Sequence, residues 1–322
     1  MTQSPELLYL SRRDLEGLDL TAGQVIESIE RAMRGRARGQ VWNAPKSALY
    51  PGGDRFFMAM LAVADDPPFA VVKSLGLSSD NATEGRDSIG ALITIFDGVS
   101  GLPLGIMDGG WVTAVRTAGL SAVAAKRLAG PAPRVAAFIG CGVQALSHLQ
   151  VFAELYALRQ IRAFSRGTHA RDRLCRSAQQ LGLAAVATAS AQEAVEGADL
   201  VFSSVPSAPD LVPFLDPDWL KPGAFASAID LGRSWQAERL SRFDRIVIDD
   251  LEQEAAMEES MVRRELIGGD LASLATGNSP ARRSDDERIL FVFRGLALAD
   301  LALSALAFEH ARKTGAGLHL EP

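Results

Sequence analysis

The chain has 322 residues, 48% hydrophobic and 22% charged, which is material for a sizeable core and more length than one domain usually needs. A net charge of −6 with no long basic run excludes an electrostatic footprint for nucleic acid. Cys141 and Cys175 and the four scattered histidines lack metal-ligand spacing, no apolar stretch reaches membrane-spanning length, and the start "MTQSPELLYLSRRDLEGL" lacks the apolar core of a signal peptide. A cytoplasmic protein is expected, with no metal and no contact with membrane or nucleic acid.

Residues 7–38 read as a short strand followed by helices. Asp19 to Thr21 offers a cap, and Val25, Ile26, Ile29 and Met33 then recur at helical spacing. Arg55 to Ala64 and Phe69 to Leu75 read as strands joined by a turn at Asp65-Asp66-Pro67-Pro68. A third strand, Gly90 to Phe96, runs into "DGVSGLPLGIMDGG", whose Gly and Pro predict a hairpin returning through Leu104 to Met107. The first third is therefore a mostly antiparallel sheet with helices beside it. From Trp111 the pattern changes: Val115, Ala118, Leu120, Ala122, Val123 and Leu128 mark a long alanine-rich helix ending near Gly130-Pro131, which bridges to a second domain.

Strands and helices then alternate. Val135 to Ile139, Ile161 to Ser165, Ala184 to Ala187, Leu200 to Val205, Ala224 to Ile229 and Arg245 to Asp249 read as strands, with helices at 143–157, 168–181 and 191–196 between them. This rhythm predicts a Rossmann-like, doubly wound parallel sheet in an α/β protein. A short helix is expected within 232–243, further helices in "EQEAAMEESMVRRELI" and around Leu271, and a last apolar run at Ile289 to Phe293. The helix from Gly295 to Lys313 is expected to return to the first domain. The expected division is a discontinuous α+β substrate-binding and dimerisation domain, 1–116 with 297–322, and a nucleotide-binding domain, 117–296.

Directly after the strand at 135–139 comes Gly140-Cys141-Gly142-Val143-Gln144-Ala145, a GxGxxA turn opening a helix. In such a turn the first glycine permits the bend, the second lets a pyrophosphate approach the backbone, and a small third residue lets helix pack on strand. Gly140, Gly142, Val143 and Gln144 are thus candidate cofactor contacts, against the plainer reading of an ordinary strand-to-helix corner. At the end of the next strand an acidic residue would accept from the adenosine ribose hydroxyls and repel a 2′-phosphate. Here that position carries Ser165-Arg166, with Arg171 close behind and no carboxylate until Asp172. A hydroxyl donor and a guanidinium fork favour NADP(H), while a ribose held by backbone groups alone would leave NAD(H) usable.

The stretches "VVKSLG" around Lys73, "SGLPLGIMDGGWVTAVRTAGLSAVAAKRLA" containing Arg116-Thr117-Ala118, "GCGVQALSHL" and "FRGLALADLALSAL" occur in an order and spacing that resembles the ornithine cyclodeaminase and mu-crystallin family over nearly the whole chain. The resemblance implies a homodimeric oxidoreductase that moves a hydride between a nicotinamide and the α-carbon of a small amino or imino acid. Such a substrate needs fixed cations for its carboxylate and one group to move protons. The resemblance sets Lys73 and Arg116 on that carboxylate, Arg116 reaching the cofactor as well, and places Lys46 where relatives carry an arginine after a proline. Thr117 and Ser88 are expected on the cofactor, as are Val205 and Gly295.

The family's proton-handling aspartate follows a strand of the nucleotide domain. In "ASAIDLGRSW", Asp230 arrives early and Gly232 takes the usual place, so Asp230 is the expected acid/base, with helix capping as its alternative. Arg294 stands before Gly295 where the family faces substrate. An inward arginine needs an anion, which predicts a substrate with a distal acidic group; the alternative is a neighbouring acid on the protein itself. Trp111 and Trp235 could line a pocket or simply pack, and Asp300, inside the last helix, reads as an anchor rather than a proton carrier. Within this frame an imine or ketimine reductase or amino acid dehydrogenase is expected, with a cyclodeaminase that recycles its cofactor and a non-catalytic NADP-dependent binding protein as alternatives.

Overall fold

The computed structural model describes residues 6–52, 55–78, 81, 89–208 and 210–321. Its contacts divide the chain into two units, Met1–Arg116 with Leu296–Pro322, and Thr117–Gly295.

The first unit opens with β1 (Leu7–Leu10), the short α1 (Arg12–Glu16) and α2 (Ala22–Ala37). Helix α2 starts at Thr21, whose side chain accepts from the Gln24 amide while Gln24 answers the Thr21 amide. Its apolar face buries Val25, Ile26, Ile29 and Met33. Next come β2 (Val41–Asn43), β3 (Ser47–Gly52), β4 (Arg55–Ala64), β5 (Phe69–Ser78), β6 (Ile89–Asp97) and β7 (Pro103–Asp108). Strands β2 and β3 were not expected. Their solvated residues carry little apolar alternation, and pairing to β4 makes them strands. The long helix α3 (Gly109–Leu128) follows, its first turn held by Asp108, whose Oδ1 accepts from the Trp111 amide at 2.6 Å.

In the second unit the predicted alternation is present: β8 (Val135–Ile139), α4 (Val143–Leu155), β9 (Gln160–Phe164), α5 (Thr168–Gln180), β10 (Ala184–Ala187), α6 (Ala191–Val195), β11 (Leu200–Ser203) and β12 (Phe225–Ala228). After β13 (Arg245–Ile248) the expected helices shrink to α7 (Leu251–Ala255) and one 3-10 turn at Arg264–Leu266. The intervening residues are largely exposed, and Glu254 turns back to accept from the Met261 amide, which closes a loop instead of extending a helix. Strand β14 (Ile267–Asp270), helix α8 (Leu271–Thr276) and β15 (Ile289–Val292) complete an all-parallel sheet. Its order is β10-β9-β8-β11-β12-β15-β13-β14, so the chain winds away from β8 first to one side and then to the other. The carboxyl ends of β8 and β11 are the switch point, where doubly wound sheets hold ligands.

The chain then returns to the first unit through α9 (Ala297–Thr314) and β16 (Leu318–Leu320). The first sheet runs β16-β1-β7-β6-β5-β4-β2, with β3 on β4. Its inner face buries Met60, Ala62, Val71, Ile93 and Ile95 under α9, which also packs on α2. Alternate residues of the same strands, Phe57, Leu61 and Leu92, point to the other face and are exposed. Among the described residues no helix is long and apolar enough to cross a membrane.

Candidate functional site

In the second unit, the turn after β8 is built for close approach. Gly140 has φ +85°, and a Cβ there would lie 2.5 Å from the Ser204 carbonyl oxygen, so only glycine fits. A Cβ on Gly142 would meet nothing within 4 Å, which leaves that side of the turn open. Gly142 is the N-cap of α4 and supplies no side-chain acceptor, so the first-turn amides, Val143 and Gln144 included, are available to an anion. Beside them Gln144 Oε1 is buried with no hydrogen-bond partner among the described residues, an acceptor that a ribose hydroxyl would satisfy. These features fit a nicotinamide dinucleotide.

The helix behind this turn is fixed by a buried polar chain. His148 Nδ1 lies 2.7 Å from the Gln144 carbonyl, its Nε2 lies 2.9 Å from Ser121 Oγ, and Ser121 Oγ lies 2.9 Å from Ser227 Oγ. A carbonyl can only accept, so Nδ1 carries the proton, Nε2 accepts from Ser121, and Ser227 donates to Ser121. Burial pushes the His148 pKa down to about 4, which keeps the ring neutral.

Asp230 follows β12 and is buried. Its Oδ1 accepts from Ser203 Oγ at 3.1 Å and the Gly232 amide at 3.2 Å; its Oδ2 accepts from the Val205 amide at 3.3 Å and Ser234 Oγ at 2.6 Å. Trp235 Nε1 in turn donates to Ser203 Oγ, and its ring is buried in the core of this unit rather than facing a ligand. Burial pushes the Asp230 pKa up to about 6 against the pull of these four donors. That value suits a general acid, but four donors fill the four acceptor positions of a carboxylate. These hydrogen bonds tie Asp230, at the end of β12, to the end of β11.

At the end of β9, Ser165 Oγ donates to the Gly167 carbonyl at 2.6 Å, and Arg166 is exposed. Helix α5 begins after Gly167 with no side-chain cap, and Arg171 Nε sits 3.2 Å from Asp172. Arg294 meets an acid of the protein, the alternative left open for it: its Nε donates to Glu254 at 2.7 Å and its Nη2 to the Glu259 carbonyl. The amides of Arg294 and Gly295 donate to Asp249 at 3.2 and 2.8 Å, and the Val205 amide donates to Asp230.

The first unit holds the second cluster. Antiparallel register sets Lys73 of β5 opposite Met60 and Ile93 on the inner face, in line with buried Phe69 and Val71. Lys73 is 1% exposed, Asp300 0% and Arg116 7%. One oxygen, Asp300 Oδ1, accepts from Lys73 Nζ at 2.8 Å and from Arg116 Nε at 3.1 Å, and Thr113 Oγ1 lies 3.4 Å from Nζ. Burial pushes the Lys73 pKa down to about 8, with Arg116 acting in the same sense and Asp300 opposing. Asp300 Oδ2 and, one turn along α9, Ser304 Oγ are buried without hydrogen-bond partners among the described residues.

Of the remaining candidates, Lys46 is half-buried between β2 and β3, Thr117 is buried in α3 at the start of the second unit, and Ser88 lies outside the described residues. Sequence reasoning set Asp300 aside as an anchor and missed Ser304. The available signal was a lone carboxylate within "LALADLALSAL", an apolar helix in which an acid needs a cation.

Comparison with known proteins identifies the family. Residues 6–315 match the profile of the ornithine cyclodeaminase/mu-crystallin family. The ketimine reductase mu-crystallin of Mus musculus is 32% identical over 225 residues, 68% of this chain and 69% of that protein. The Δ1-pyrroline-2-carboxylate reductase of Thermococcus litoralis, solved with NADH and L-proline, superposes with a TM-score of 0.90 at 27% identity, covering 98% of this chain and 100% of that one. An archaeal alanine dehydrogenase, solved as a dimer with bound NAD, superposes with a TM-score of 0.86 at 25% identity over 98% of this chain and 99% of that one. With a family profile spanning almost its full length and the fold shared with both solved relatives, the chain belongs to the ornithine cyclodeaminase/mu-crystallin family.

Proposed function

We propose that the protein is a nicotinamide-dependent oxidoreductase acting at the α-carbon of a small α-amino or α-imino acid, as an imine or ketimine reductase or an amino acid dehydrogenase. The observation that carries this is the pair of buried cations on a single carboxylate. Lys73 and Arg116 share Asp300, so among the described residues the cluster holds one more positive than negative charge, and a buried uncompensated charge is costly until an anion meets it. A substrate α-carboxylate is that anion.

The bound nicotinamide supplies or accepts the hydride. Arg116 anchors the carboxylate, with Lys46 as an accessory cation. Lys73 contributes charge and, with its proton affinity brought near neutrality, gives or takes the proton at the substrate nitrogen. Gly140, Gly142, Val143 and Gln144 hold the dinucleotide, with Thr117 and Ser88 as further contacts, and Asp230 keeps the β11 end in place.

The preferred cofactor is NADP(H). Support comes from the exposed Arg166 and the uncapped start of α5, with no carboxylate until Asp172. The protein works as a homodimer. The archaeal relative is a dimer, and the outer face of the first sheet here exposes Leu49 and Phe57, directly paired, together with Leu61 and Leu92.

The test is a panel of cyclic imines, α-keto acids with amines, and α-amino acids, followed by nicotinamide absorbance with each cofactor. Saturable turnover of an α-carboxylated imine or amine is expected. Ammonia release from ornithine or lysine without net absorbance change would make the protein a cyclodeaminase, and ligand binding without turnover a binding protein.

A further inference from the structure

We propose that Asp300 is a positioning residue that sets the proton affinity of Lys73 and leaves the Lys73–Arg116 pair with a single net positive charge, matched to one substrate carboxylate. The proposal rests on the reading of this cluster as the carboxylate site and adds the element that governs it.

Arginine–carboxylate pairs are frequently two-pronged, two nitrogens on two oxygens. Here Arg116 offers Nε to Oδ1, the same oxygen that takes Lys73 Nζ, and Oδ2 receives nothing among the described residues. One oxygen therefore bridges two cations from different elements, Lys73 from β5 and Arg116 from α3, while Asp300 itself stands in the first turn of α9.

Among the described residues, the groups facing Lys73 from each packed element are few. Helix α3 brings Arg116 and Thr113, α9 brings Asp300, and β4 and β6 set Met60 and Ile93 opposite it, neither of which titrates. Arg116 repels a proton on Lys73 and Asp300 retains it, so the carboxylate decides whether a buried lysine beside a permanent cation stays charged. Without Asp300, Lys73 sheds its proton and the cluster loses half its hold on an anion. With it, the lysine is charged below pH about 8 and can still release its proton.

The test combines a pH profile with a direct titration. In wild type the alkaline limb of kcat/KM should fall near pH 8; in Asp300→Asn it should move down by at least one pH unit, and Asp300→Glu should bring it back toward wild type. The Cε resonance of Lys73, assigned by its absence in Lys73→Met, should titrate at the same midpoint, and Arg116→Gln should raise that midpoint. Should Asp300→Asn fail to fold, the wild-type and Arg116→Gln titrations decide alone. An unmoved limb in a folded Asp300→Asn, or a Lys73 midpoint at the ordinary lysine value, would overturn the proposal. The resonance needs no turnover, so a shifted Lys73 in a protein inactive on the whole panel would retain the positioning role while the proposed reaction falls.

Discussion

Asp230 and Asp300 are both buried aspartates beside an α/β core, and they are opposites in chemistry. Asp230 accepts four neutral donors, two on each oxygen. Asp300 accepts two cations on one oxygen and leaves the other without a partner among the described residues. A saturated carboxylate fixes architecture, because every lone pair is already committed and any change leaves a donor stranded. An unsaturated, charge-unbalanced one creates a demand that a ligand can meet. The difference also separates two readings of perturbed proton affinity. In Asp230 burial merely outweighs a full hydrogen-bond shell, whereas in Lys73 a repelling and an attracting charge are set against each other.

The sharpest way to break this comparison is at the unbalanced cluster. Lys73→Met and Arg116→Ala should each lose about 2 to 5 kcal/mol of substrate interaction, read as a drop of roughly 30-fold to several thousandfold in kcat/KM, with circular dichroism unchanged. Activity within a few-fold of wild type would remove the carboxylate site from this cluster. Next in size, Asp230→Asn should act on stability rather than proton transfer, since the new amide NH2 cannot accept from two of the four donors. Each stranded donor should cost about 1 to 3 kcal/mol, lowering the denaturation midpoint while the alkaline limb stays in place. If the variant were as stable as wild type yet dead, Asp230 would hold the acid/base role.

A smaller effect is expected at the end of β9. Combining Arg166→Ala with Ser165→Asp removes a charge-assisted donor of about 1.5 to 3 kcal/mol, so the ratio of kcat/KM for NADPH over NADH should fall tenfold or more. A wild-type enzyme that already prefers NADH would sink the cofactor assignment.

The smallest effect is the pH dependence of stability. His148, held near 4, is neutral in the fold while the unfolded ring protonates from its ordinary value downward, so its contribution is present at neutral pH and is lost as pH falls toward 4. Asp230, held near 6, keeps its proton longer when folded, so its contribution is present at low pH and is lost as pH rises through 6. The two slopes oppose each other between these values. Urea midpoints measured across that window should therefore become more acid-tolerant in His148→Gln and less so in Asp230→Asn; parallel curves for the two variants would contradict both assignments.

Local pattern made much of this molecule legible. The strands at 135–139 and 184–187 and the run from Arg55 to Ala64 lie where alternation and apolar clustering place them, since those residues satisfy the same periodicity in any context. The glycine turn was readable because Gly140 answers a backbone requirement that no other residue meets, and Lys73 stood out as a charge inside an apolar strand. By contrast, β2 and β3 exist only because β4 offers them an edge, and "EQEAAMEESMVRRELI" remains largely a loop because Glu254 finds a partner in its own return path.

The sequence by itself determined most of the element types, the parallel winding of the second unit and the residue types that chemistry would need, because these depend on periodicity, backbone permissiveness and charge along the chain. Tertiary structure alone decided which charges meet. Lys73 and Asp300 are 227 positions apart, Arg116 and Asp300 184, and no local spacing encodes such pairs. It also decided that Arg294 finds Glu254 and that four donors converge on Asp230. A side chain's chemistry is fixed by its type, but whether it is spent inside the protein or left for a ligand depends on neighbours that only folding brings within hydrogen-bond distance.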